Sequence, residues 1–122
     1  MSELIDACLD RNIELAKTLI SRKVNLDVQS INGWTALICA CWNNNTEIIK
    51  ILIDKGVNLD LPNKYGITAL MWSCLRNNIE VIKIFIDKGA NLNLQDKHGD
   101  TALITACKHN HLDIVSYLLE YM

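Results

Sequence analysis

Gly33-Trp34-Thr35-Ala36-Leu37-Ile38-Cys39-Ala40-Cys41 decides the reading of this chain, because it returns. The stretch recurs 33 residues on as Gly66-Ile67-Thr68-Ala69-Leu70-Met71, and again as Gly99-Asp100-Thr101-Ala102-Leu103-Ile104-Thr105-Ala106-Cys107. Downstream of each copy the register holds. Glu47, Glu80 and Asp113 align, then Ile49, Ile82 and Val115, then Leu52, Phe85 and Leu118. One period upstream the match is looser, with Ser2, Leu4, Ala7, Cys8 and Ile20 in the places of Thr35, Leu37, Ala40, Cys41 and Ile53. A fixed period of this length is the signature of stacked supersecondary units, none of which can bury its apolar face alone.

Each unit has a local logic. Thr35, Thr68 and Thr101 can each accept a backbone N–H and so cap a helix that opens at the following Ala. Leu37, Ala40 and Cys41 mark one face of that short helix. Asn44, Asn77 and Asn110 fall where it stops, and Asn tolerates the left-handed backbone that helix ends require. A second helix over about 46–55 carries Ile48, Ile49, Leu52 and Ile53 on one side, and Gly56 closes it. Pro62, Asn63 and Gly66 then supply turn chemistry. The expected fold is an all-α repeat solenoid, a stack of four helix pairs joined by three β-hairpin loops. Its units are 1–30, an N-terminal cap with Glu3 and Asp6 where inner units carry Ala36 and Cys39, then 31–63, 64–96 and a C-terminal unit 97–122.

Bulk composition agrees. The chain has 122 residues, one ordinary domain, with 50% hydrophobic and 21% charged residues. A formal net charge of -2 argues against nonspecific binding to nucleic acid or an anionic membrane, which needs clustered Lys and Arg. No apolar run approaches the roughly 20 residues of a membrane span, and Met1-Ser2-Glu3 does not open a signal peptide. The expectation is a cytoplasmic or nuclear protein, or a protein of a host cytosol were it an effector. Its five cysteines are then expected as free thiols.

The repeated Gly-x-Thr-Ala-Leu stretches and Glu47-Ile48-Ile49-Lys50-Ile51-Leu52-Ile53-Asp54-Lys55-Gly56 resemble ankyrin repeats, which are 33-residue units of a β-turn and two helices with a Thr-Pro-Leu-His-x-Ala signature. The resemblance covers essentially the whole chain. Here the signature Pro is Ala36, Ala69 and Ala102, and its His is Ile38, Met71 and Ile104, which removes a side-chain bond that ties hairpin to helix in the family. The resemblance implies a non-enzymatic protein–protein interaction module. The surface it implies is concave, made of hairpin tips and the inner face of the first helices. Carried over by position, that surface comprises Ile31, Asn32, Trp34, Lys64, Tyr65, Ile67, Lys97, His98 and Asp100 from the tips. The first helices add Trp42, Asn43, Leu75, Arg76, Lys108 and His109, with Trp72 one turn before Leu75.

Residue variation points to the same surface independently. Trp34 aligns with Ile67 and Asp100, Trp42 with Leu75 and Lys108, and Trp72 with Cys39 and Thr105. Core positions keep their kind from repeat to repeat, as the leucines do, whereas surface positions are free to change. Large aromatics and Arg are favoured at interface hot spots. The competing reading is that these aromatics pack on one another and stiffen the hairpins. The expected interface grades from aromatic near Trp34, Trp42 and Tyr65 to charged near Lys97, Asp100 and Lys108.

Other chemistries fare less well. Cys8, Cys41, Cys74 and Cys107 recur at one repeat position and read as small core hydrophobes. Cys107, His109 and His111 lack a zinc spacing and read as exposed or structural. No phosphate loop, nucleophile elbow or His-Glu-x-x-His is present, so no enzyme and no cofactor are expected. A monomer bound to a protein partner is the leading expectation. A scaffold segment of a larger array without binding activity of its own comes next, and a metal- or small-molecule-binding domain last.

Overall fold

The computed structural model describes residues 2–22 and 25–122, so part of the N-terminal unit 1–30 lies outside the described residues. Eight helices run in four antiparallel pairs among the described residues. The first helices of the pairs are α1 (Glu3–Leu9), α3 (Ala36–Trp42), α5 (Ala69–Leu75) and α7 (Ala102–Lys108). The second helices are α2 (Ile13–Ser21), α4 (Thr46–Asp54), α6 (Ile79–Asp87) and α8 (Leu112–Leu119).

The caps follow the sequence. Ser2, Thr35, Thr68 and Thr101 each accept a backbone N–H at the start of a first helix. The turn between paired helices is three residues of fixed geometry. Asn44, Asn77 and Asn110 take the left-handed conformation (φ 56°, 58° and 59°), and Arg11 takes it in the first repeat. The residue after them starts the second helix. Asn12, Asn45 and Asn78 accept from Leu15, Ile48 and Val81 N–H, whereas His111 makes no such bond. The Asn-Asn pair is thus a stop followed by a start, not one long terminator.

Pairs stack first helix on first helix and second on second. The first helices carry Ala36, Ala40, Ala69, Ser73, Ala102 and Ala106, all buried, so their backbones come close. The second helices are held apart by Ile49, Leu52, Ile82, Phe85 and Leu118, also buried. Small residues on one side of the stack and large ones on the other make it curve, with the first helices on the inside. One continuous apolar core runs from Leu4 to Leu118.

Between repeats the chain forms tips without regular strands: among the described residues no β-strand ladder is present. Each tip is instead a tight turn whose first residue donates its N–H to the fifth (Ser30 to Trp34, Asn63 to Ile67, Asp96 to Asp100) and accepts from the glycine (Gly33, Gly66, Gly99), closed further by that first residue's side chain. Neighbouring tips are joined by Lys64 N–H to Asn32 O (2.8 Å) and Lys97 N–H to Tyr65 O (3.0 Å). These bonds hold the tips to each other where the signature His is missing. In one repeat Met71 Sδ, at the place of that His, accepts from Thr68 N–H.

Loops behind the stack are stapled in the same periodic way. Asn58 N–H donates to Asp27 Oδ1 and Asn91 N–H to Asp60 Oδ1, each at 2.9 Å. Lys17 meets Glu47, and Lys50 meets Glu80, across the exposed faces of the second helices. Exposed pairs of this kind contribute little individually, about 0–1 kcal/mol.

Cysteine burial separates inner from outer repeats. Cys8, Cys39, Cys41 and Cys74 are buried, but Cys107 is exposed, contrary to the expectation from its register. The position of Cys41 and Cys74 is covered by the next repeat, and no described element covers α7 on that side. Burial pushes the Cys8, Cys39, Cys41 and Cys74 thiols up to about 12. Native protein should therefore lose one thiol to iodoacetamide near pH 8, at Cys107, and the other four only on unfolding. Mass analysis of alkylated peptides checks this; rapid native labelling at Cys41 would refute the packing. Because the folded chain holds these protons longer, its stability should fall as pH rises above about 9, where unfolded thiols ionise first.

Candidate partner-binding surface

The tips place Trp34 and Ile67, and the first helices place Trp42, Trp72 and Leu75, on the inner face of the curve. Three of these converge. The Trp34 ring lies 6.2 Å from Trp42, edge-on, and 5.9 Å from Trp72. All three tryptophans are partly buried, neither sealed in the core nor free. The aromatics pack on one another, as the competing reading expected, and each keeps part of its surface exposed. Tyr65 does not join them. It stands half-exposed at a tip with Lys64 Nζ 5.0 Å from its ring. The aromatic centre is Trp34–Trp42–Trp72 rather than Trp34–Trp42–Tyr65.

Several expected contact residues already hold the fold. Arg76 Nε donates to Trp42 O (2.7 Å), and its guanidinium lies 5.9 Å from the centre of the Trp42 ring. Asn43 Nδ2 donates to Cys8 O and Leu9 O, and His111 Nε2 lies 3.1 Å from Leu75 O. Each turn thus satisfies the carbonyls that end the first helix one repeat earlier. His109 Nδ1 lies 2.9 Å from Thr105 O, and its ring stacks on His111. Lys108 Nζ pairs with Asp100 Oδ2 at 2.7 Å. Lys97 and His98 are exposed on the last tip.

Two cavities open on this face, one on either side of the tryptophans. The first, about 250 Å³, is lined by Ile5, Leu9, Ser30, Asn32, Trp34 and Trp42. The second, about 240 Å³, is lined by Ile67, Met71, Trp72, Leu75, Asp96, Asp100, Thr105 and His109. They lie between repeats one and two and between repeats three and four. The corresponding place between the middle repeats is where Trp34 and Trp72 meet. Each cavity is smaller than the roughly 300–1,000 Å³ of small-molecule sites and suits a single side chain.

Ile5, Leu9, Ser30, Met71, Asp96 and Thr105 were not among the residues expected from sequence. Register could have found some of them, since Leu9 is the equivalent of Trp42 and Leu75, and Ser30 and Asp96 of Asn63. Among the described residues no three His, Cys, Asp or Glu side chains gather as metal ligands, and no helix is long and apolar enough to cross a membrane.

A family model described as ankyrin repeats, in three copies, matches residues 4–96 and 55–122. No curated protein matches the sequence.

Proposed function

The chain belongs to the ankyrin repeat family, and from that premise we propose that it binds a partner protein through its concave face, as a monomer and without enzymatic activity. One observation carries the reading: a cluster of three half-buried tryptophans lies on the inner curve between two side-chain-sized cavities. Trp is the residue most enriched at interface hot spots, and a preorganised aromatic cluster loses little conformational entropy on binding. The net charge of -2 supports a protein rather than a nucleic acid or membrane partner. Five free cysteines support a reducing compartment, the cytoplasm or nucleus.

The test is capture from lysate on immobilised native chain, compared with Trp34→Ala and with Trp34→Ala/Trp42→Ala/Tyr65→Ala, each shown folded by circular dichroism. A partner held by the native chain should bind Trp34→Ala at least about tenfold more weakly. Equal retention by the folded triple variant would remove the concave face from the reading.

Exposed apolar side chains on the last pair favour a second reading. Ile104, Leu112 and Leu119 are exposed, as are Tyr121 and Met122 after α8. In that reading the chain is a scaffold segment of a larger ankyrin array. Sedimentation velocity separates the two: concentration-dependent association abolished by Leu119→Lys supports the scaffold, and a single monomeric species at all concentrations counts against it.

A further inference from the structure

The two cavities differ in chemistry, and the difference specifies an occupant. The first is walled by Ile5, Leu9, Trp34 and Trp42 and has no ionised group in its lining. The second has an apolar floor that includes Leu75 and Trp72, but Asp96 and Asp100 stand in its wall. Of the cations around it, Lys108 is paired with Asp100 and Arg76 is held on Trp42 O, while Lys97, next to Asp96 on the exposed tip, forms no ion pair with it among the described residues. Asp96 uses Oδ1 to accept His98 and Asp100 N–H, which leaves Oδ2 without a partner among the described residues. The second cavity therefore offers a carboxylate oxygen above apolar surface, which complements a side chain with an apolar stem and a cationic end.

Their spacing is fixed by the stack. Trp34 borders the first cavity and lies 5.9 Å from Trp72, which borders the second. The cavities lie two inter-repeat spacings apart, and packed helices are about 8–10 Å apart, so their centres are on the order of 16–20 Å apart, or about five to six residues of extended chain at roughly 3.3 Å each. Resting on the concave-face reading above, we propose that the occupant is an extended segment of the partner, with an aliphatic side chain in the first cavity and a lysine or arginine about five to six residues away in the second.

Natural variation between the repeats supplies variants that keep the fold. Asp96 is the equivalent of Asn63, whose Oδ1 accepts from Tyr65 and Ile67 N–H in the same geometry. Asp96→Asn therefore keeps the tip and removes the charge. Leu9 is the equivalent of Lys108, so Leu9→Lys puts a residue already tolerated at that position into the first cavity.

The probe is a displayed library of random linear dodecapeptides, selected on the native 122-residue chain and on folded Trp34→Ala. Enriched peptides should pair Leu, Ile or Val with Lys or Arg about five to six positions apart. A synthetic peptide of that class should bind Leu9→Lys about tenfold more weakly. It should bind Asp96→Asn about three- to fivefold more weakly, as an exposed ion pair would give, and lose its preference for Arg over Gln. Enrichment of peptides without the pair, with an acidic second anchor, or with an Arg preference that survives Asp96→Asn would overturn the proposal. If such peptides still fail on Trp34→Ala, the concave-face reading stands and only the occupant falls. If they ignore Trp34→Ala, both fall. If no peptide is enriched, the extended occupant is refuted and the capture experiment alone decides the concave-face reading.

Discussion

Phe85→Ala is expected to destabilise the fold by about 3–5 kcal/mol, the range for truncating a fully buried aromatic. Phe85 is 0% exposed on α6 and is one of the largest side chains sealed in the core. Its equivalents Leu19, Leu52 and Leu118 are buried too, so the position is a row of large side chains along the second helices. Phe85 lies in an inner repeat, with α4 on one side and α8 on the other. A cavity there weakens two inter-repeat interfaces at once, and a repeat array draws much of its stability from those interfaces. Set against a typical total of about 5–15 kcal/mol, the loss should lower the melting temperature by roughly 10–20 °C. Urea denaturation should also lose sharpness, because α1–α4 can persist after α5–α8 open. Phe85→Leu, which installs the residue of the neighbouring repeats, should cost less than about 1.5 kcal/mol. A melting temperature for Phe85→Ala within a few degrees of the native value would show that the row is not continuous.

Gly66→Ala and Gly99→Ala should differ sharply, although the two glycines share one register position. Both have positive φ, 77° and 80°. An L side chain there costs about 1–2 kcal/mol by itself. At Gly66 an added Cβ would also lie 2.9 Å from Asp96 Cα and 3.2 Å from Lys97 N, in the backbone of the next tip. That tip is fixed by Lys97 N–H to Tyr65 O, so it cannot yield without breaking the bond that zips the tips together. At Gly99 nothing lies within 4 Å. Gly66→Ala is therefore expected to cost about 3 kcal/mol or more and Gly99→Ala about 1 kcal/mol, the excess coming from overpacking against backbone. Denaturant midpoints of the two variants measure the difference directly. Equal losses would mean that the tips are not in close contact.

These predictions rest on different kinds of information. The period, the caps, the helix pairs and the buried aliphatic faces were legible in the sequence, because each depends on local chemistry repeated at a fixed spacing. Thr68 before Ala69, Asn77 at a left-handed turn and Gly89 after a helix need no distant partner to be understood. The expected second helix over about 46–55 agrees with α4 at Thr46–Asp54. The tips, read as β-hairpins, proved to be tight turns without strands, because two backbone bonds close each one and the next tip's Lys N–H donates to a remaining carbonyl.

The candidate site was only partly legible. The aromatic positions stood out because they break the repeat, yet their grouping did not follow from that. Trp34 is on a tip and Trp72 on a first helix one repeat later, at non-equivalent positions, so no periodicity pairs them; they meet only because stacking brings the tips over the next helix. The same stacking leaves Tyr65 outside the cluster, commits Arg76 to a carbonyl and pairs Lys108 with Asp100. Cys41 and Cys107 carry one residue type at one register position, but Cys41 has a repeat on either side and Cys107 has one only. By itself the sequence determined what each repeat is, because that is set within about a dozen neighbouring residues. Only the tertiary structure decided what each position does, because burial and partners depend on which repeats lie on either side of it.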